Sequence, residues 1–449
     1  MSPSATALPA LADVPARIDA GDTAWLLAAA ALVLLMVPGL ALFYGGMVRA
    51  KSVLNMMMMT FVSLAVITVV WVVVGYSLAF GDDVVGGLFG DPGQYAGLGS
   101  LLRDDGWLSV PTILFACFQG LFAVVTGALV SGAIADRARF GAWVVFVALW
   151  TVLVYAPVAH WVFDLSRPGH VGGWLVNRIH LLDFAGGTAV EVCSGASGLA
   201  LALVLGRRVG FGSDPMRPHN LTLVMLGAGL LWVGWFGFNG GSALGADRTA
   251  ASVFATTLVA GAAGTLGWLA LERVRDGHAT SLGAASGMVA GLVAITPSCA
   301  SVTPLGALVI GAAAGAICAI AIGLKYRWRY DDSLDVVGVH LVGGLVGTIG
   351  IGLLASSAAP AGIDGLLYGG GPSQLGRQLI GCAAVLAYAF VVSGLLALAV
   401  KKVMGFRIDE DHEVSGIDQV VHAESAYDLH SGAGSRPSIL HGAHWSHRE

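Results

Sequence analysis

The chain has 449 residues, 56% apolar and only 11% charged, against roughly 25% charged in soluble domains. A water-soluble fold would lack polar surface, so the composition excludes that class and points to an all-α polytopic membrane protein. The net charge of −5 selects no partner and nothing suggests nucleic acid, while 64 glycines allow close helix approach within a bilayer.

Residues 1–21 are rich in Ala, Pro and Ser and read as an exposed amino-terminal arm. They lack the basic start and apolar stretch of a cleaved signal peptide, although a signal-anchor role for the first helix stays open. The first span runs from Asp22 through Phe43-Tyr-Gly-Gly46 until Arg49 and Lys51. The second covers about 53–80; its run Met56 to Met59 reads as packing and not as a metal site. An acidic, Gly-rich connection over 81–106 follows. The third span, about 109–135, carries Phe118-Gln-Gly-Leu-Phe122, whose two Phe share one helical face. The fourth covers about 140–163 and holds His160, read as a hydrogen-bonded packing residue.

The fifth span opens at Asp183-Phe-Ala-Gly-Gly-Thr-Ala-Val-Glu191 and runs to about 205. With a helix start at Asp183, a rise of 1.5 Å per residue sets Glu191 about 12 Å in, near the middle of a hydrocarbon core roughly 30 Å thick. A carboxylate there costs on the order of 3 kcal/mol and faces a bundle interior, a polar partner or a water-filled path. One other segment fits the same description: Asp335-Val-Val-Gly-Val-His340, in a tenth span over about 334–355. Between them lie spans at about 221–244, 250–272, 281–299 and 304–324, and an eleventh follows at about 378–400. The sixth carries Trp232-Val-Gly-Trp235-Phe-Gly-Phe238-Asn239-Gly-Gly-Ser242, an aromatic cluster ending in small polar residues. The five cysteines all lie in apolar segments without metal spacing and read as small core residues. No metal, cofactor or covalent catalysis is expected, so the chain does not read as an enzyme.

Basic residues collect in alternate connections: Arg49 and Lys51; Arg137 and Arg139; Arg207, Arg208 and Arg217; Arg273 and Arg275; Lys325, Arg327 and Arg329; Lys401, Lys402 and Arg407. By the positive-inside rule these are cytoplasmic, which puts the amino end outside and the carboxyl end inside. Eleven spans divide into two five-helix repeats, about 22–206 and 221–356, plus a last helix over about 378–400. Because five is odd, the second repeat is inverted relative to the first, an arrangement that forms a midplane site at the repeat interface.

Phe43-Tyr-Gly-Gly-Met-Val-Arg-Ala-Lys51, Phe118-Gln-Gly-Leu-Phe122, Asp183-Phe-Ala-Gly-Gly187, Gly234-Trp-Phe-Gly-Phe-Asn239 and Asp335-Val-Val-Gly-Val-His340, in this order, resemble the Amt/Mep/Rh family of ammonium transporters, on its Amt/Mep branch. The resemblance implies a homotrimer of eleven-helix subunits in the cell (inner) membrane, in contact with lipid, each subunit with its own pore for ammonium or ammonia. Carried over residue by residue, Phe122 and Phe238 match the stacked phenyl gate, with Phe118 and Trp235 along the pore. Ser242 matches the hydroxyl of the outer ammonium site, and Asp183 the buried carboxylate below it. His340 matches the second of two pore histidines.

Two positions depart from the family pattern. Glu191 replaces the first pore histidine, as in some fungal members. A carboxylate beside an imidazole can pass a proton but titrates jointly with it, so retained transport with an altered pH profile and weaker potassium rejection is expected. Phe163 stands where the vestibule tryptophan is expected, leaving open whether Phe163, Trp161 or Trp174 completes the outer site. Beyond residue 400 a cytoplasmic tail carries Gly405-Phe-Arg and Gly416-Ile-Asp-Gln motifs that resemble the family's regulatory segment. The resemblance implies contact with neighbouring subunits and docking of a PII-type signalling protein. Residues from about 430, with His430, His441, His444 and His447, read as a disordered, solvated tail. Two alternatives to transport remain at this level, an ammonium sensor and a passive ammonia channel.

Overall fold

The computed structural model describes residues 17–104 and 106–427. Most of the amino-terminal arm, and the tail from 428 with its four histidines, lie outside the described residues. Among those described, eleven helices are long and apolar enough to cross a membrane. In chain order they are α1 (Ala20–Met47), α2 (Ala50–Phe80), α3 (Thr112–Ile134), α4 (Phe140–Phe163), α5 (Gly187–Leu205) and α6 (Leu221–Gly241). They continue as α7 (Arg248–Asp276), α8 (Ser281–Ser298), α9 (Pro304–Trp328), α10 (Val337–Leu354) and α11 (Ser373–Met404). The expected count holds.

Side-chain caps set several of the starts. Asp19, Asn220, Asp247, Thr280 and Thr303 accept hydrogen bonds from the first-turn amides of α1, α6, α7, α8 and α9. Each satisfies a donor that has no partner within its own helix.

The fifth and tenth spans depart from the sequence expectation. Helix α5 starts at Gly187, so Asp183 is outside it and Glu191 is four residues in, about 6 Å at helical rise. The carboxylate of Asp183 folds back over the helix start and accepts from the amides of Gly186 (2.8 Å), Gly187 (2.6 Å), Thr188 (2.7 Å) and Ala189 (3.3 Å). In α10 the corresponding cap is Asp332, which accepts from Val336 (3.1 Å) and Val337 (2.7 Å). Asp335 instead pairs with Lys325 at 2.6 Å, from a backbone at φ 63°. Its counterpart in the first half is Gly186, at φ 111°. The carboxylate matching Asp183 is thus Asp332.

Both helices open with a π-helical turn, Gly187–Val192 in α5 and Val337–Leu341 in α10, and Glu191 and His340 lie within these turns. Widened turns of this kind are frequent at functional sites, although α2 and α4 carry them too, at Trp71–Gly75 and Thr151–Tyr155. Helix α5 packs against α3, α8, α10 and α11, so its polar residues are enclosed by protein. Two glycines allow the α5–α10 contact. A Cβ on Gly195 would lie 2.4 Å from the Leu341 amide nitrogen, and one on Gly344 would lie 2.8 Å from the Glu191 Cβ and 3.1 Å from the Val192 side chain. Moving forward along α5 from Val192 to Gly195 moves backward along α10 from Gly344 to Leu341, so the helices cross antiparallel. The first helices of the two halves, α1 and α6, likewise pack along each other. Both contacts agree with an inverted repeat.

The segment after α11 folds back onto the body. Phe406 is fully buried, its carbonyl accepts from the Arg139 amide, and the Ile408 amide donates to the Arg137 carbonyl. Asp418 caps α2 by accepting from Leu54 (3.0 Å) and Asn55 (2.8 Å). On this face Arg208 bridges Asp331 and Asp136, at 2.9 Å to each.

Candidate transport pathway

On the face opposite that tail, a cavity of about 460 Å³ opens between the helices. Its wall is aromatic, with Tyr76, Phe80, Phe115, Phe122 and Phe163 contributing, and its polar lining includes Ser242 and Gln119. At its base the rings of Phe122 and Phe238 stack, with centroids 3.9 Å apart and planes 17° apart. Phe118 packs behind Phe122 at 4.9 Å and is fully buried; it supports the stack from the side and does not line the cavity.

Of the three aromatic residues left open by the sequence, Phe163 reaches the cavity, meeting Phe122 edge to face at 6.4 Å. Trp161 points elsewhere: its indole donates to the Leu88 carbonyl at 2.8 Å, and its ring packs against Trp174 and Tyr388. The Ser242 hydroxyl donates to the Phe238 carbonyl at 2.9 Å, which leaves its oxygen lone pairs to accept from a cation. Asp183 borders the cavity with its carboxylate occupied by four helix amides and the Thr188 hydroxyl. Its charge is balanced by the helix start it caps.

Beyond the stacked rings lies a narrow, almost wholly apolar void of about 10 Å³, bounded by Leu40, Val125, Leu231, Trp235 and His340 among others. The Trp235 indole is tied back to the Thr296 hydroxyl at 2.8 Å. His340 Nδ1 lies 2.7 Å from the carboxylate of Glu191, and both side chains are buried. His340 faces the void with Glu191 behind it, a contact that counting residues along the two spans left open. His160 lies apart from this line, buried, with Nδ1 3.1 Å from the Ala79 carbonyl.

Two residues of the cavity mouth have no precedent in the sequence reading. Trp107 and Arg167 both line it, and the Arg167 guanidinium lies over the Trp107 ring, 5.0 Å from its centroid. Trp107 sits just beyond the connection between the second and third spans, where no periodicity signals its direction. Only the fold brings the loop after α4 across to it.

An open aromatic vestibule, a ring gate and an apolar constriction with one buried ionisable pair, all within eleven membrane-spanning helices, define a multi-pass membrane transporter. The family model for the Ammonium Transporter Family matches residues 24–427. The ammonium transporter of Mycobacterium tuberculosis is 54% identical over 440 residues, covering 93% of this chain and 92% of its own. The crystal structure of Saccharomyces cerevisiae Mep2 is similar at a TM-score of 0.81 and 37% identity, covering 89% of this chain and 90% of its own. A structure described as a sensor Amt protein reaches the same TM-score at 29% identity, covering 89% and 98%. The chain belongs to the ammonium transporter family, and it transports ammonium.

Proposed function

We propose that ammonium enters from outside the cell through the vestibule, binds against Phe122 and Phe163 with Ser242 accepting an N–H, and loses a proton before passing the ring gate. Ammonia then crosses the apolar constriction while the proton moves separately by way of Glu191 and His340 and rejoins it on the cytoplasmic side. Aromatic faces attract a cation by about 0.5–2 kcal/mol, and an apolar pore rejects any cation that cannot shed its charge. Ammonium can do so; potassium cannot. The observation that carries the reading is the 2.7 Å contact between Glu191 and His340 beside the void below the gate. A carboxylate and an imidazole at that distance share a proton and can exchange it with a neighbour.

The rest of the assignment follows the charge pattern and the family. The amino end lies outside and the tail is cytoplasmic, in the cell (inner) membrane, with repeats over about 22–206 and 221–356. The working unit is a homotrimer in contact with lipid, and the tail face is where a PII-type signalling protein would dock.

The deciding experiment records currents from the purified protein in liposomes after ammonium or potassium pulses across a range of pH, for the wild type, Glu191→His and Glu191→Ala. The expected result is an ammonium-specific current whose pH dependence or selectivity is lost in Glu191→Ala. Unchanged flux, pH dependence and selectivity in that variant would remove Glu191 from the proton path.

A further inference from the structure

The vestibule already holds a cation of its own. Among the described residues lining it, Arg167 is the only basic one, and its guanidinium covers the face of Trp107 at 5.0 Å. The backbone of Arg167 is fixed in a tight turn: its amide donates to the His170 carbonyl at 3.0 Å, and the His170 amide donates back at 2.8 Å. The guanidinium itself is loosely held. It donates to the Leu165 carbonyl at 3.4 Å, and its nearest carboxylate, Asp164, is 3.8 Å away. Asp164 is committed to His170, whose ring nitrogen is 2.9 Å from both its oxygens. The Arg167 side chain therefore stands on an aromatic face without a close charge-assisted bond to keep it there.

Trp offers the best aromatic surface for a cation, and this one lies in the mouth of a pathway whose substrate is a cation. We propose that Trp107 is an outer ammonium-binding surface covered by Arg167, and that Arg167 is a tethered competitor that ammonium must displace. The proposal extends the vestibule reading by a further subsite, away from Phe122, Phe163 and Ser242. Arg167 thereby sets apparent affinity: it raises the ammonium concentration needed to fill the mouth and leaves passage through the gate unaffected.

The test measures the ammonium dependence of current in proteoliposomes at physiological salt, where unscreened fields reach only about 8 Å. Variants are Arg167→Gln, Arg167→Lys, Trp107→Ala, the Arg167→Gln/Trp107→Ala double and Ser242→Ala. Arg167→Gln is expected to lower KM roughly three-fold with the maximal current unchanged, and Arg167→Lys to stay near the wild type because it keeps the charge. Trp107→Ala should raise KM, and in the double variant the Arg167→Gln gain should vanish. An equal gain with or without Trp107 would mean simple charge repulsion and overturn the subsite. So would an unchanged or raised KM in Arg167→Gln. If Ser242→Ala shifts KM while Arg167→Gln does not, the Trp107 subsite falls alone; if neither shifts it, the vestibule reading falls too.

Discussion

Asp183 and Asp332 stand 149 residues apart, the same separation as Glu191 and His340, and each caps the helix that carries one of that pair. The offset also relates Gly195 to Gly344 and Val192 to Leu341, the residues through which α5 and α10 touch. A local two-fold relation therefore runs through the ionisable pair, and each aspartate fixes the depth of one partner. Removing a cap leaves helix amides unpaired near the vestibule or the opposite face. Asp183→Ala is expected to cost about 2 kcal/mol or more, since several charge-assisted bonds are lost at once. Asp183→Asn should recover part of it. Thermal unfolding of the detergent-solubilised protein checks this, and equal melting of Ala and Asn variants would contradict a capping role.

Asp331 and Asp332 are neighbours held in opposite directions. Burial is the largest influence on the Asp331 carboxyl and would raise it, but the hydrogen bonds and charge of Arg208 and the charge of Arg137 together outweigh burial and hold Asp331 below the usual carboxylate range. Burial, reinforced by Asp335, pushes Asp332 up to about 6. The signs differ accordingly. Asp331 contributes stability above its unfolded pKa, and the contribution is lost as pH falls through its lower folded value. The contribution from Asp332 is present below its unfolded pKa and lost as pH rises through about 6. Between pH 5 and 7, Asp332→Asn should therefore gain stability relative to the wild type, while the deficit of Asp331→Asn stays constant and closes only in strong acid. Melting temperatures over that range decide it.

The Glu191–His340 contact depends on the bare backbone of Gly344. A methyl group there meets the Glu191 Cβ at 2.8 Å and the Gly187 carbonyl at 2.9 Å, inside normal contact. Both obstacles lie at the start of α5 and cannot yield by a rotamer change, so the helices must part. Overpacking of this kind costs about 1–3 kcal/mol. Gly344→Ala should lower ammonium flux at least as far as Glu191→Ala does, in protein that still purifies folded. Flux near the wild-type level would show that the proton path tolerates a wider pair.

The sequence revealed the eleven spans because long apolar stretches and alternating basic connections are one-dimensional signals, and the ordered motifs located Phe122, Phe238, Glu191 and His340. It misplaced the start of α5, because Asp183-Phe-Ala-Gly is apolar enough to continue the helix and only the folded-back carboxylate shows that it does not. Asp335 looked like the partner of Asp183 for a related reason: spacing cannot show that Lys325 claims it. Trp107 and Arg167 were out of reach altogether, since their contact joins two irregular loops. Conversely, Phe163 could be separated from Trp161 only by seeing which ring turns into the cavity.

The ring gate yields a further prediction. Phe122 and Phe238 close the base of the vestibule by stacking at 3.9 Å, and the void beyond them is apolar and narrow. Phe238→Leu keeps an apolar plug, whereas Phe238→Ala removes most of one leaf and lets water meet the constriction. Ammonium currents should persist in the Leu variant. In the Ala variant, potassium pulses should evoke current that the wild type lacks. Potassium exclusion intact in Phe238→Ala would place the selectivity barrier lower, at the level of Trp235 and His340.

The tail is secured by the same capping chemistry at the other face. Asp418 accepts from the amides of Leu54 and Asn55 at the start of α2, while buried Glu413 accepts from the Val209 amide at 2.7 Å and from Arg407 at 2.8 Å. These two carboxylates are among the polar anchors that tie the tail to the start of α2 and to the connection after α5, beside the His422 contact with Asn55 and the His219 contact with Tyr427. Burial pushes the Asp418 carboxyl up, and the two amides it caps oppose that shift. Asp418→Ala should release the segment after Gly416 and leave the membrane helices intact. In limited proteolysis of the purified protein, cleavage beyond Arg407 should then accelerate several-fold in the double variant Glu413→Gln/Asp418→Ala, with each single change producing less. Equal digestion rates for all four proteins would mean that Phe406 and its buried ring contacts hold the tail without the two carboxylates.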